Sequence, residues 1–529
     1  MPNLFAYFML FVWPLITWQL FKRYPATKAA IGAVIWGYLL LPERPNLNFP
    51  VIPNINKSIV PSLAVLIVYH YVKKNEIFMA RRAARHEAAL APVAEKTGEG
   101  VASPIAKKRQ AFLLKKPRTK VRLMLILATV FLLISPVITY LTNRAPIVDG
   151  LTYLPGIRPY DVAAYTRNLA CLLLPFFVGL KLVTDRQGQI WLLRTIVFGG
   201  LLYTVAILIE IRMSPQLSTW IYGFFAHDFR QHYRNGGWRP IVFLAHGLRV
   251  GIFMSMAVLA AATLARASDN GKSRLRWLLV SLWLLVALYL SKNTGALLIT
   301  VLLLPILLVG SRGMQAVMAG IIAALVLCYP IVRGTNLVPT ESVAETIAPY
   351  APERAASLEF RLRNEDELLA HANLKPLAGW GGWGRNLLFN PETGKPSTIT
   401  DGIWIIIIGQ YGWIGYLSLF GFICLPVILC AFSYRKLRLD TIDIGMMVVM
   451  AANMIDLIPN SSLVAPIWLL SGALWVRYDQ ARQTEMASHL SPRERRLYHK
   501  RDADFDIAPD VPAKPTRKKG RLNRPAVTS

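Results

Sequence analysis

Long apolar runs separated by shorter polar intervals extend along most of this chain of 529 residues. Many runs approach the ~20 residues that an α-helix needs to cross a bilayer. The apolar residues follow one another without alternation, which argues against the strands of a membrane β-barrel. The pattern predicts membrane-spanning helices at 4–21, 27–41, 58–72, 122–142, 160–183, 190–211, 241–265, 277–290, 294–309, 315–333, 403–432, 441–458 and 462–477.

Some of the predicted spans have unusual lengths. The adjacent runs 277–290 and 294–309 are short, which favours tilted or re-entrant helices. The run 403–432 is long, and Pro426 predicts a kink within it. The run 4–21 has no basic region before it and no small-residue cleavage site after it. We therefore expect a retained helix there rather than a signal peptide.

The composition supports a membrane protein. Hydrophobic residues make up 54% of the chain and charged residues 17%, whereas soluble domains are less apolar and more charged. Lipid offers no hydrogen-bond partner to the backbone, so the spanning elements must be helices. The predicted fold class is all-α: a polytopic integral membrane protein with about 12–13 transmembrane helices and a large, partly helical extracytoplasmic loop.

The formal net charge of +29 predicts the orientation of the chain. In a soluble protein this charge would suggest nucleic acid, but no basic domain with interleaved aromatic residues accompanies it, and we expect no nucleic-acid partner. Cytoplasmic loops of membrane proteins carry excess Lys and Arg. The basic segments are the loop 73–121, the turns 22–23, 266–276 and 435–438, and the tail after 477. We predict that these are cytoplasmic and that the longest polar intervals lie outside.

This topology divides the chain into six parts. They are N-terminal transmembrane helices at 1–72, a basic cytoplasmic loop at 73–121, a central transmembrane region at 122–333 with an outer loop at 213–240, a large extracytoplasmic loop at 334–402, C-terminal transmembrane helices at 403–477, and a basic, disordered cytoplasmic tail at 478–529.

No metal site and no cofactor are predicted. The four cysteines lie inside or at the ends of apolar runs, without metal-ligand spacing, and are interpreted as buried apolar residues. They are Cys171, Cys328, Cys424 and Cys430. The sequence shows no cluster of carboxylates for a divalent cation, whose electrostatic role arginines can fill.

Cationic residues gather where apolar runs begin on the predicted outer side. Arg239, His246 and Arg249 lie around the start of the run 241–265. Arg239 and His246 are about two helical turns apart, so they can share a helix face. Charges at this depth are costly unless they are paired, which favours a polar cavity. A helix-packing hydrogen bond is the alternative interpretation of His246 and Arg249.

Further cations occur in two other outer segments. Lys292 lies in a turn between two apolar runs, against the preference for positive charge inside. Arg361 and Arg363 belong to a helix predicted at 355–374. Arginine makes two charge-assisted hydrogen bonds to phosphate at once, so we interpret these cations as candidate diphosphate ligands, with Arg239 and Arg249. The alternative for Arg361 is a surface ion pair with the acidic residue one helical turn further on.

A glycine-rich segment with two tryptophans, GWGGWGR, occupies 379–385. Glycine permits a flexible loop. Large aromatic rings can stack on the C–H faces of a sugar. Trp380, Trp383 and Arg385 are therefore predicted to contact a sugar beneath a loop that opens and closes. Aromatic anchoring at the membrane interface is the alternative.

Asp401 directly precedes Gly402 and a strongly apolar run. Its type and place suit the N-cap of a helix. A carboxylate at the mouth of a positively charged cavity is also a candidate general base, and His246 is the second candidate. The cap and the base remain alternatives for Asp401 at this point.

The order of these motifs resembles the bacterial O-antigen polymerase and O-antigen ligase family of integral membrane glycosyltransferases. The similar features, within about 228–425, are the run Arg239 to His246, the Ser291-Lys292 turn, the arginine helix leading to Pro376-Leu377-Ala378-Gly379-Trp380-Gly381, and Asp401-Gly402 followed by Tyr411-Gly412-Trp413-Ile414-Gly415. Family members often have Ser-Arg-Gly where this chain has Ser291-Lys292-Asn293. Ligases carry a histidine near the position of Asp401, and its absence here favours a polymerase or a divergent branch.

The resemblance implies a glycosyltransferase of the bacterial inner membrane with an extracytoplasmic active face. It would polymerise or transfer a glycan in the synthesis of O-antigen or exopolysaccharide. The implied partners are a polyprenyl-diphosphate-linked glycan as donor, a glycan or lipid-linked acceptor, membrane lipid, and a polysaccharide assembly complex. The leaving diphosphate needs positive charge, and the candidate cations can supply it.

Two other classes remain open on the sequence. A flippase or transporter of a lipid-linked or anionic substrate would use the same arginines without a base. Broken helices in paired halves are typical of such proteins, and none is evident in this sequence. A non-catalytic subunit of an envelope assembly complex would bind its partners through the basic loop and tail.

Overall fold

The apolar runs form helices, as the pattern predicts. The computed structural model of the protein describes residues 1–48, 53–90, 120–234, 236–335, 348–349 and 352–488. The helices of these ranges are α1 (Leu4–Arg23), α2 (Ala26–Leu40), α3 (Val60–Leu90), α4 (Lys120–Thr142), α5 (Pro159–Leu172), α6 (Leu174–Leu182), α7 (Arg186–Met213), α8 (Leu217–Tyr222), α9 (Gly247–Arg266), α10 (Gly271–Leu290), α11 (Thr294–Val309), α12 (Arg312–Gly334), α13 (Pro352–Asn373), α14 (Ile403–Ser433), α15 (Thr441–Asp456) and α16 (Ala465–Ser488).

Within this part of the chain, eight helical segments are long and apolar enough to cross a membrane when α5 and α6 count as one. The others are α1, α4, α7, α9, α10, α12 and α14. Helices α2 and α11 are shorter apolar helices. The predicted class, an all-α polytopic membrane protein, is confirmed.

Helix α9 forms the centre of the helical bundle. Of its most apolar window, 89% is buried, and it packs against α7, α10, α11 and α15. Small polar groups join these neighbours: Thr300 of α11 donates to the Ser255 hydroxyl of α9 at 2.6 Å, and Ser281 of α10 donates to the Val258 carbonyl at 3.0 Å. Such bonds hold helices together where lipid removes the hydrophobic drive for association.

Helices at the periphery turn their large apolar side chains outward. Exposed examples are Phe8 and Phe11 on α1, Phe131 on α4, and Leu279 and Leu282 on α10. A water-soluble protein would bury such rows, and contiguous exposed apolar surface is a mark of membrane contact. The outer surface therefore suits lipid.

Two spans differ from their predicted form. Helix α10 has 20 residues and is long enough to cross a membrane, so the prediction that the run 277–290 is too short for a full span is wrong. Helix α11 has 16 residues and is a shorter apolar helix, as predicted. The predicted span 160–183 is divided at Leu173 into α5 and α6. Pro175 lies in the first turn of α6, where its missing N–H costs nothing, whereas inside a continuous helix it would break a hydrogen bond.

Helix α14 is broken at Gly412, which has φ 63° and ψ −167°. The break lies nearer the start of the helix than Pro426, where the sequence predicts a kink. The break pairs with the segment before it: Trp380 donates its backbone N–H to Gly409 at 2.8 Å, and Trp413 donates to Pro376 at 2.8 Å. We call this pairing of 376–381 with 409–414 the α13–α14 junction.

Short antiparallel hairpins occur in two polar intervals. Strands β1 (Ile147–Asp149) and β2 (Thr152–Leu154) form one, and β3 (Tyr233–Arg234) and β4 (Gly237–Trp238) form the other. A 3₁₀ turn, Phe229–His232, precedes β3.

One compact unit, Met1–Thr97 with Arg118–Arg482, contains all of these elements except the end of α16. The second unit consists of Gly98–Pro117 and Gln483–Ser529, and the structure describes only Gln483–Ser488 of it, as helix. Helix α3 continues to Leu90 and α16 to Ser488, so the predicted loop at 73–121 begins as helix and the predicted disorder at 478–529 is wrong for 478–488. The rest of these two predicted segments, 91–119 and 489–529, lies outside the described residues.

Candidate functional site

A polar cavity of about 1090 Å³ lies where the polar segments meet the helix ends. It is lined by His227, Gln231, Arg239, Ala245, His246, Leu248, Arg249, Lys292, Thr294, Gly295, Leu358, Arg361, Thr400, Asp401, Pro459, Asn460, Ser461 and Ser462. Six residues that the sequence singled out are in this wall: Arg239, His246, Arg249, Lys292, Arg361 and Asp401. Among the described lining residues, four carry a positive charge and one is a carboxylate.

Arg239 is held in place by an asparagine. It is 5% exposed, and its Nε donates to Asn293 Oδ1 at 2.7 Å, with a second donation from its terminal nitrogen to the same oxygen. Asn293 donates in turn to Ser291, to the carbonyl at 3.1 Å and to the hydroxyl at 2.9 Å. The turn that contains Lys292 therefore also positions Arg239, through Asn293. The sequence did not indicate this role for Asn293.

The segment between Arg239 and His246 is not helical, so the prediction that the two share a helix face is wrong. Helix α9 begins only at Gly247. Glu210 on α7 is 0% exposed and accepts the backbone N–H groups of Ile241 and Val242, each at 2.8 Å. The Glu210 carboxylate thus binds two backbone N–H groups of the non-helical segment. The segment still delivers both side chains to the cavity.

His246 caps the N-terminus of α9. Its Nδ1 accepts the backbone N–H of Leu248 at 3.0 Å. A neutral imidazole that accepts through Nδ1 carries its proton on Nε2. In this arrangement His246 offers a hydrogen-bond donor at Nε2 rather than a base.

Lys292 adopts φ 57°, a left-handed conformation that is uncommon for a residue with a side chain. A Cβ at position 237 would occupy the space taken by the end of the Lys292 side chain, so the glycine of β4 leaves room for it. Backbone strain of this kind persists where surrounding structure enforces it, commonly at functional sites.

Arg249 lies in the first turn of α9 and faces an acidic residue that was not among the predicted site residues. Glu43 Oε1 is 3.8 Å from Arg249 and 3.3 Å from Lys57 Nζ. Lys57 donates to the Phe243 carbonyl at 2.6 Å, and burial lowers the pKa of Lys57 to about 8, against the opposing effect of Glu43. These contacts join the loop after α2 to the segment that precedes α9.

Arg361 and Asp401 form an ion pair across the cavity mouth. The Arg361 Nε lies 3.2 Å from Asp401 Oδ2, and both side chains are 40% exposed. Asp401 is not the N-cap, because α14 is capped by Gly402 without a side-chain hydrogen bond. The alternative pair with Glu365 is also not formed: Glu365 is buried and accepts from the Tyr329 hydroxyl at 3.3 Å. Burial raises the pKa of Glu365 to about 7.

The glycine and tryptophan segment lies away from the described cavity wall. Trp380 stacks on His371 with centroids 4.4 Å apart, and its Nε1 donates to the His371 carbonyl at 2.8 Å. Arg385 is 2% exposed and donates to the carbonyls of Pro155 and Ala145 at 2.8 and 3.1 Å. In this structure these side chains hold the loop together, so the predicted sugar contacts have no support from their position.

Trp383 and Arg363 are also outside the wall. Trp383 is exposed and donates from Nε1 to Asp161 at 3.2 Å, while Arg363 is exposed on α13. On a helix, Arg361 and Arg363 are about 200° apart, so only one can face the cavity. Diphosphate binding by Arg363 is therefore not favoured.

Three histidines meet at one corner of the cavity. His227, His232 and His246 each present a nitrogen, and these atoms lie within 4.8 Å of one another. No metal site was predicted, because the sequence shows no carboxylate cluster, although His227 and His232 have four residues between them, a spacing that zinc ligands also show. Only the folding of the polar interval onto α9 brings the three together.

No protein-family model matches this sequence, and no curated protein is similar to it at a significant level.

Proposed function

We propose that this protein is a membrane glycosyltransferase that transfers or polymerises a glycan carried on a polyprenyl diphosphate, in the synthesis of a surface polysaccharide. The observation that carries the proposal is the convergence of four cations, from four separate elements, on one cavity with a single described carboxylate. Arg239, Arg249, Lys292 and Arg361 surround a space that suits a diphosphate, and the apolar exterior suits its lipid.

The proposed reaction is displacement at the anomeric carbon of the donor sugar. The acceptor hydroxyl oxygen forms the new bond to this carbon, and the bond to the diphosphate oxygen breaks with its electron pair. Negative charge then grows on the leaving diphosphate, where preorganised cations lower the barrier. The hydroxyl proton passes to a base in the cavity.

Asp401 is the base that the geometry favours. Its carboxylate lines the cavity and is not used as a helix cap. The Nδ1 atom of His246 already accepts a backbone N–H, and its Nε2 then carries the ring proton. His246 is better placed to donate a hydrogen bond to a phosphate or sugar oxygen.

The charge distribution supports an extracytoplasmic site in a bacterial inner membrane. Helix α9 starts at the cavity with His246 and ends at Arg266. The basic turns after α9 and after α14 are therefore at the helix ends opposite to the cavity. Because positive loops face the cytoplasm, the cavity faces the other side.

A transporter of lipid-linked or anionic substrates is the second candidate, since α14 is broken like the discontinuous helices of transporters. Two observations favour the transferase. The broken backbone at 409–414 is hydrogen-bonded to 376–381 rather than presented to the cavity, and a carboxylate stands beside the cations.

The test is incubation of purified protein in nanodiscs with a polyprenyl-diphosphate-linked oligosaccharide. The transferase should release polyprenyl diphosphate and yield a longer or transferred glycan. A transporter in sealed vesicles would relocate the substrate without releasing diphosphate. Intact donor after incubation with several acceptors, in protein that demonstrably binds it, would contradict the proposal.

A further inference from the structure

The three histidines at the cavity corner come from different local structures. His227 lies in the loop before the 3₁₀ turn, His232 ends that turn, and His246 caps α9. His232 is 0% exposed, whereas His227 is exposed and borders the cavity with His246. The cluster thus has one buried member and two that reach the open space.

The ring spacing agrees with a shared metal ion. For nitrogen ligands about 2.05 Å from a tetrahedral metal, with each ring centre roughly 1.1 Å beyond its nitrogen, the ring centres are about 5.2 Å apart. The observed centroid distances are 4.5 Å for His227 with His246, 5.3 Å for His232 with His246, and 5.5 Å for His227 with His232. The ring planes are inclined by 53–86°, so the rings do not stack.

We propose that His227, His232 and His246 bind a divalent transition-metal ion, with Zn²⁺ as the first choice. Three neutral imidazoles are typical of zinc, cobalt, nickel and copper sites, whereas magnesium and calcium prefer oxygen. The described cluster contributes three ligands, which leaves a coordination position for water or a substrate oxygen. Two of the ligands line the cavity, so that position opens toward it.

The metal would compete with the cap of α9. Binding through His246 Nε2 requires the ring proton at Nδ1, which now accepts the Leu248 N–H. The protein therefore exchanges one neutral hydrogen bond for one metal bond when the ion binds. If the proposed function also holds, the open position would meet an oxygen of the diphosphate, beside Arg239 and Lys292, and this metal contact would replace the hydrogen bond from His246 Nε2.

The experiment uses Zn²⁺ alone as the probe and the full chain without a polyhistidine tag. Protein stripped with a chelator is equilibrated with Zn²⁺, passed through a desalting column and analysed for metal by mass spectrometry. We expect about one Zn²⁺ per chain, and Co²⁺ should give the visible bands of a tetrahedral complex. Wild-type protein that retains no stoichiometric Zn²⁺ would overturn the proposal.

Two variants and a control locate the ion. His227→Ala and His232→Ala should each lower retained Zn²⁺ at least about 10-fold, the scale of losing one ligand. His70→Ala, on an exposed position of α3, should retain it. His227 is exposed, so its variant should fold even if His232→Ala does not. Equal Zn²⁺ in wild type and His227→Ala would place the ion elsewhere and reject this site.

The result is independent of the glycosyl transfer that we propose. Metal content and cobalt spectra need neither donor nor acceptor, so a protein without transferase activity can still show the site. Conversely, a transferase that binds no Zn²⁺ would retain the proposed function and lose this inference.

Discussion

Arg239 and Asp401 illustrate two ways in which the chain places a charge beside the cavity. Arg239 is almost completely buried and its guanidinium is fixed by Asn293. Asp401 is partly exposed, and among the described residues Arg361 is the one ion-pair partner of its carboxylate. The first arrangement is preorganised before substrate arrives, whereas the second can rearrange when an anion competes for the arginine.

Arg239→Lys should impair turnover although it retains the charge. Lysine cannot make the forked contact to Asn293, so its ammonium would be less well oriented toward an anion. We expect a loss of about 10-fold or more in turnover, the equivalent of one charge-assisted hydrogen bond. Arg363→Lys, on the exposed side of α13, is the matched control and should stay within about twofold of wild type. Equal effects of the two substitutions would show that Arg239 has no special role.

Asp401→Asn should remove the proposed base while keeping the shape of the side chain. Asparagine has the same shape but accepts no proton from a sugar hydroxyl, so turnover should fall about 100-fold or more. Substrate affinity should change little or rise, because Arg361 loses its ionic partner and is available to phosphate. Glu392→Gln, an exposed acid outside the cavity wall, serves as control. Near-normal turnover of Asp401→Asn would assign the base elsewhere.

At the scale of elements, the α13–α14 junction joins two glycine-containing segments that are about 30 residues apart in the sequence. The segment 376–381 and the segment 409–414 exchange backbone hydrogen bonds, including Gly381 to Gln410 at 3.0 Å and Ile414 to Leu377 at 3.2 Å. Gly379 and Gly412 are explained by this contact, because a side chain on either would meet the backbone of the other segment. These two glycines therefore have a structural role in the junction.

Gly412→Ala should destabilise the protein strongly. Its φ of 63° strains any L-residue, and a Cβ would collide with the backbone of Leu377 and Ala378. We expect a loss of about 2 kcal/mol or more, visible as a lower unfolding temperature in detergent. Gly421→Ala in the same helix should be nearly neutral, because its Cβ would meet only the Leu425 side chain at 3.5 Å. A similar melting temperature for both variants would contradict the proposed strain.

At the scale of the molecule, the cavity and the basic turns are at opposite ends of the same helices. We expect the cavity to face away from the cytoplasm. With Cys328 replaced by alanine, Glu392→Cys in the cavity-side segment should react with an impermeant thiol reagent in intact cells, and Lys272→Cys in the first turn of α10 should react only after lysis. Both positions are exposed, so accessibility is matched. The opposite labelling pattern would reverse the orientation.

The helices could be predicted because a bilayer imposes nearly the same length and polarity on each of them. The start of α9 could not be predicted in this way. The segment before it is held by hydrogen bonds to Glu210, which lies on another helix about 30 residues earlier in the chain. Trp380 could not be interpreted from the sequence for the same reason. Its position in a glycine-rich segment suggested a ring that binds sugar, but in the fold it stacks on His371.

The cations of the cavity were predictable for a related reason. An arginine at the margin of an apolar run is costly unless something receives it, so its type and position together suggest a polar cavity. Residue type and position do not determine which cation faces which anion. The Arg361–Asp401 pair, the Glu43 contact to Arg249 and the three histidines depend on chain segments that meet only in the folded protein.

The α13–α14 junction also has a mechanical consequence for the cavity. Arg361 is 12 residues, or about 18 Å of helix, before the end of α13, which leads into the junction. A tilt of about 10° at that end would move the Arg361 side chain by about 3 Å, comparable with the 3.2 Å that separates it from Asp401. A small rotation of α13 would therefore break the ion pair if the contacts of Arg333 to Leu362 and Asp366 yielded to it.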